Sequence, residues 1–194
     1  MHQFFKGKNL FDFMEKISVR KGKFYFGNEP FFFISGDYPY YRDSAENWHD
    51  RLVKMKKIGI NVVTFYVPWR HHCIGYDYES GDQTYDFSGL TQPNRNVVGF
   101  LSSIKELGMY AVVKPGPFIH AETDYGGLPD FVNPDHNPKI TPFKNWTGFS
   151  NRWFAFFGKP LPSPLDPEFL RLSKAYFRAV SENLMREFMY PKGP

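Results

Sequence analysis

The sequence predicts an α/β protein with parallel strands, and three observations carry that reading. Apolar segments switch between a period of two and a period of 3.6 in the order strand, helix, strand, helix, strand, joined by short connections. Each strand is cut off by proline or glycine and followed by a polar, aromatic loop. Residues 109–129, MYAVVKPGPFIHAETDYGGLP, show this most fully: a β-branched run, a break at Pro115-Gly116-Pro117, then His120, Glu122, Thr123 and Asp124 in quick succession. Parallel sheets build sites in this way, with functional groups hanging from the strands' carboxyl ends.

In chain order, residues 1–22 form an N-terminal extension and residues 23–194 a single unit. Lys23-Phe24-Tyr25-Phe26, a turn at Gly27-Asn28-Glu29 and the run Pro30-Phe31-Phe32-Phe33-Ile34 predict a short hairpin feeding a buried first strand. Asp43 and Ser44 are placed to cap a helix carrying Trp48, Leu52, Met55 and Ile58, which Gly59 ends. Ile60, Val62, Val63, Phe65 and Val67 form the second strand, closed by Pro68-Trp69, and an irregular stretch follows. A second helix spans roughly 96–107 and stops at Gly108; the third strand, 109–113, reads as buried. Residues 130–165 are a long loop rich in proline and aromatics (among them Phe143, Trp146, Phe149, Trp153, Phe154, Phe156 and Phe157), which reads as a lid. The last helix is capped by Asp166, starts at Pro167 and offers Leu165 and Leu170 as a hydrophobic staple. Short right-handed crossovers between strands that all end in polar loops fit a (β/α) barrel with its site on the carboxyl face. A complete barrel takes about 250 residues. The sequence therefore reads as a partial TIM (β/α)8 barrel: the first three parallel β/α units behind a short N-terminal hairpin, with an edge open after Pro194.

Composition narrows the partners. Aromatics make up 20% of the chain, which suits a large core or a sugar-stacking cleft and does not separate them. The net charge of +4 is spread thinly, with no basic run of five, so neither nucleic acid nor a membrane surface is expected as a partner. One cysteine, Cys73, excludes an internal disulfide framework. The first 22 residues lack the apolar core of a signal peptide, and the expectation is a cytoplasmic protein. His71, His72, Cys73 and His120 are metal-binding residue types, but no conventional ligand spacing is present, so neither a metal nor another cofactor is expected.

Four stretches carry a family resemblance: Ile34-Ser35-Gly36-Asp37-Tyr38-Pro39-Tyr40-Tyr41-Arg42, Asn61-Val62-Val63-Thr64-Phe65-Tyr66-Val67-Pro68-Trp69, Tyr85-Asp86-Phe87-Ser88-Gly89, and Lys114-Pro115-Gly116-Pro117-Phe118-Ile119-His120-Ala121-Glu122 running to Gly126-Gly127-Leu128-Pro129. In this order and spacing they resemble the N-terminal half-barrel of glycoside hydrolase family 35, the β-galactosidase family. The resemblance implies a retaining exo-glycosidase that removes a terminal β-galactosyl unit, its partner being the terminal β-linked sugar of an oligosaccharide or glycoconjugate. Two glutamates perform the chemistry in that family, after strands four and seven, so both are expected beyond Pro194 and no catalytic residue falls within the chain. On the residues alone, Glu122 reads as a catalytic carboxylate; the resemblance instead makes it an anchor for sugar hydroxyls. Tyr66, His120 and Ala121 match positions lining the same sugar, and Arg42 matches an arginine just behind it. The chain departs from the family pattern at Pro39, at Arg70-His71-His72-Cys73-Ile74, in an insertion over 75–84 and in the length of 130–165. These departures leave open a member acting on glucosamine-terminated chains, and a sugar-binding half-barrel without catalysis is the alternative of another class.

Overall fold

A computed structural model describes residues 17–153 and 158–189. Phe154, Phe156 and Phe157 of the long loop lie outside the described residues, as do the first sixteen and last five positions. The chain opens on an antiparallel meander, β1 (Ile17–Arg20), β2 (Lys23–Phe26) and β3 (Glu29–Phe31). A parallel sheet follows, of β4 (Ser35–Asp37), β5 (Val62–Tyr66) and, later in the chain, Tyr110–Lys114. Helix α1 (Trp48–Lys57) links β4 to β5. After β5 come a single turn α2 (Trp69–His72), a hairpin of β6 (Cys73–Tyr76) and β7 (Gln83–Tyr85), and helix α3 (Val97–Glu106). Tyr110–Lys114 is β8, and α4 (Pro167–Val180) runs through a π-helical stretch, Ser181–Met185, into α5 (Arg186–Phe188). The strand–helix alternation and the parallel pairing are as the sequence dictates.

The first parallel strand is not the apolar run 30–34. Glu29–Phe31 pairs back onto β2, and the parallel strand begins only at Ser35. Phe31 and Phe33 meet edge to face at 4.8 Å, as do Phe24 and Phe33, so these rings build their own cluster while Phe32 is exposed. Asn61 fixes the crossover from β3 to β4: its side chain donates to the Phe32 carbonyl (2.7 Å) and accepts from the Ile34 N–H (2.9 Å).

Strand period two divides the sheet into faces. Val63 and Phe65 point to the helices and are fully buried. Gly36 shares that face because a Cβ there would stand 2.8 Å from Ile60 Cδ1 and Met55 Cε. Phe100 of α3 centres the layer, its ring 5.1–5.3 Å from those of Tyr38, Tyr40, Trp48 and Phe65. Truncating such a side chain costs about 3–5 kcal/mol. The opposite face carries Asp37, Thr64, Tyr66, Tyr110, Val112 and Lys114. At its amino end the meander covers it, Phe26 stacking on Tyr110 at 4.6 Å. Beyond that cover the face is open and Val112 is half exposed, so the third strand is not the buried one its β-branched run predicts.

Helix termini follow local chemistry. Asn96 caps α3 by accepting from Gly99 N–H, and Asp166 caps α4 by accepting from Phe169 N–H at 2.9 Å. The second Asp166 oxygen accepts from Thr141 N–H (2.9 Å), tying the long loop to α4. Leu165 is exposed, so the hydrophobic staple does not form. At α1 a 3-10 turn, Ala45–Asn47, precedes the helix, and neither Asp43 nor Ser44 caps it directly. Tyr176 of α4 donates to the Val67 (2.5 Å) and Pro115 (2.9 Å) carbonyls, gripping the ends of β5 and β8 together. The described part of the long loop is internally paired. Bridges Pro142↔Pro162, Lys144↔Ser150 and Arg152↔Pro160 make it an antiparallel ribbon, with Trp153 and Leu161 packed on the core and Trp146 exposed at the tip.

Candidate functional site

The strand ends and the segment 115–128 build the site. Behind β8 the chain doubles back: Ile119 N–H donates to the Gly126 carbonyl at 2.8 Å, and Tyr125, Gly126 and Gly127 all have positive φ. Gly126 is required there, since its Cβ would lie 2.3 Å from the Phe118 ring. The Phe118 ring is held at 5.4 Å from Trp153 of the ribbon and at 5.1 Å from His120. Glu122 has φ +52°, a left-handed conformation that costs a non-glycine residue about 1 kcal/mol or more. Such strain concentrates at functional sites.

This fold brings the residues predicted from sequence together. Tyr66, His120, Ala121, Glu122 and Arg42 all face one cleft of about 340 Å³ at the carboxyl end of the sheet. Glu122 is almost fully exposed within it, paired to Arg42 at 3.2 Å. Period two of β8 places Lys114 on the same face as Tyr66: its ammonium sits 4.0 Å over the Tyr66 ring and 3.2 Å from Asp37. Lys114 and Asp37 were missed as a pair, and the register Tyr66↔Lys114 is the signal that finds them. Asp124 is met by Lys159 (2.8 Å) and Arg70 (3.6 Å), and Asp130 by the same two cations. Asp37, Glu122 and Asp124 therefore each face a cation, not one another.

The histidines next to β6 are structural. His72 is wholly buried: its Nδ1–H donates to the Asp86 carbonyl (2.7 Å), which leaves Nε2 to accept from the Tyr40 hydroxyl (2.5 Å). Burial pushes its pKa down to about 3. His71 donates from Nε2 to the Asn94 carbonyl (3.0 Å), and burial lowers its pKa also. Burial raises the Cys73 thiol to about 11, so it is no ready thiolate. Asp86 explains the motif Tyr85-Asp86-Phe87-Ser88-Gly89. Burial alone would raise its pKa, yet donors from Thr91, Gly89 and Ser88 hold the carboxylate well below the usual range and fold the turn around it.

The model of glycosyl hydrolases family 35 matches residues 23–159. The chain belongs to glycosyl hydrolase family 35. Among family 35 relatives, an exo-β-D-glucosaminidase of Thermococcus kodakarensis is 34% identical over 180 residues, 93% of this chain and 21% of that protein. The β-galactosidase of Mus musculus is 40% identical over 117 residues, 60% of this chain and 16% of its own length. β-Galactosidase-1-like protein 2 of Homo sapiens is 35% identical over 139 residues, 71% of this chain and 20% of the human protein. The chain thus spans about a fifth of the length of the relatives it matches. The cleft, the loop behind β8 and the Asp86 turn all fall inside the region matched to family 35.

Proposed function

We propose that the protein carrying this chain is a retaining exo-glycosidase that hydrolyses a terminal β-galactosyl bond. On this reading the chain is the first three units of the barrel and supplies the sugar-anchoring half of the site. The supporting observation is Glu122: an exposed carboxylate on strained backbone, facing the cleft that also contains Tyr66, His120 and Ala121. A carboxylate fixed in this way accepts two hydroxyl protons, and such charge-assisted bonds are about twice as strong as neutral ones. The Lys114 ammonium lies over the face of the Tyr66 ring, and Tyr66 lines the same cleft as Glu122, where its hydroxyl serves the sugar. Arg42 holds Glu122 in place between turnovers. The family resemblance puts the acid/base and the nucleophile after strands four and seven of the barrel, and on this reading neither is among the residues of this chain.

A second reading is favoured by one observation. Similarity to the T. kodakarensis exo-β-D-glucosaminidase extends over 93% of this chain, against 60% for the mouse β-galactosidase. On that reading the terminal sugar is β-glucosamine, bound by the same residues. Turnover of aryl β-galactoside against aryl β-glucosaminide by the intact protein separates the two. In either case Glu122→Ala lowers kcat/KM by at least about a hundredfold, as losing two charge-assisted bonds requires. Unchanged turnover of both aryl glycosides in that variant would refute the anchoring role.

A further inference from the structure

A second cleft, of about 450 Å³, adjoins the first and shares Tyr41, Arg42 and Glu122 with it. A unit linked to a sugar anchored at Glu122 therefore has this space beside it. Arg70 and Arg95 stand in its wall, with Asp124 as its one carboxylate besides Glu122. The charges do not cancel. Arg42 is matched by Glu122, and Arg70 with Lys159 by Asp124 with Asp130. Arg95 has no acidic partner among the described residues: its Nε donates to the His71 carbonyl (2.7 Å) and one terminal nitrogen to Thr91 Oγ1 (2.6 Å). Those two bonds fix the guanidinium and leave its remaining terminal amino group unspent. Tyr41, about nine-tenths buried where it lines both clefts, has a buried hydroxyl with no hydrogen-bond partner. An orphaned buried donor costs about 1–3 kcal/mol, which a ligand oxygen or a bridging water recovers.

We propose that the second cleft binds an oxyanion, a carboxylate or sulfate, carried by the unit next to the terminal sugar, with Arg95 as its recognising cation and Tyr41 as a further donor. A planar guanidinium with three of its five N–H donors unspent suits such a group, and its pre-fixed position limits the entropy lost on binding. This specificity rests on the glycosidase reading above.

The test uses the intact protein. Aryl glycosides first identify the terminal sugar that is cleaved; no turnover of any aryl glycoside would defeat the glycosidase reading itself. Disaccharides of that sugar are then compared with the second unit as the neutral alditol, the aldonate or the 6-sulfated alditol. The expected result is a kcat/KM roughly 10- to 100-fold higher for the aldonate or the sulfate than for the alditol, in line with one charge-assisted bond. The two acidic probes show which oxyanion fits. Arg95→Gln brings the ratio close to one and Arg95→Lys retains part of it. Should Arg95→Gln fail to fold, the ratio in the unmodified protein must still fall as ionic strength rises from about 0.01 to 1 M. Equal or slower turnover of both acidic probes overturns the proposal, as does a ratio indifferent to salt or one that survives Arg95→Gln.

Discussion

Acid should destabilise this protein through two histidines, His72 above all. Its ring is wholly buried and both nitrogens are committed, so the folded state takes up a proton only near pH 3. An unfolded histidine protonates near pH 6.5. Between those values the unfolded chain binds the extra proton, and stability falls as pH falls. Over the two units from pH 6.5 to pH 4.5 the loss is about 2.5 kcal/mol, at ~1.36 kcal/mol per unit. For a chain of this size that lowers Tm by roughly 5–10 °C. Asp86 adds little in this window, because its depressed carboxyl loses stability only below the ordinary aspartate range. His71 acts in the same direction as His72, so the contribution of His72 is isolated by difference. His72→Phe removes the titrating ring but keeps a flat group beside Phe87, on which His72 stacks at 4.8 Å. The variant is less stable at pH 7, since the Tyr40 hydroxyl and Asp86 carbonyl lose their partner. Calorimetry of both proteins at pH 7 and pH 4.5 should show the acid-induced drop in Tm shrinking by several degrees in the variant. An equal drop in both would refute the burial argument for His72.

Two further outcomes follow from particular residues. At Glu122 (φ +52°), replacement by glycine should leave the protein about 1 kcal/mol more stable than replacement by alanine, because only glycine relaxes in the left-handed region; thermal unfolding of the pair reads the difference, and equal values would mean the backbone there is unstrained. Tyr176→Phe should cost about 1–3 kcal/mol in chemical denaturation, as two buried carbonyls at the ends of β5 and β8 lose one shared donor, and a change below a few tenths would show that water replaces it.

How much of this was legible in the sequence depended on how far each feature is local. Asp166 and Pro167 write the start of α4 within four residues, and the cap forms as read. Gly108 stops α3 with φ +64°, again a local cause. The site loop was legible because proline and glycine break β8 where polar residues begin. What misled was partnership at a distance. Phe31 is as apolar as any strand residue, but its strand pairs with β2, a choice that periodicity does not encode. Val112 carries a strong β signal yet lies on a face the meander covers only at one end. The β6–β7 hairpin was lost in a polar stretch because its strands are three and four residues long, too short to show a period. The Lys114–Asp37 pair spans 77 positions and emerges only from strand register.

The central claim is that Glu122 grips the terminal sugar, and a crystal structure of the intact protein with its monosaccharide product bound tests it most directly. The account predicts both Glu122 carboxylate oxygens about 2.6–3.0 Å from two ring hydroxyls, with Tyr66 and Ala121 against the same sugar and Arg42 still behind the carboxylate. A sugar seated in the site with Glu122 turned away from it, still paired only to Arg42, would contradict the account.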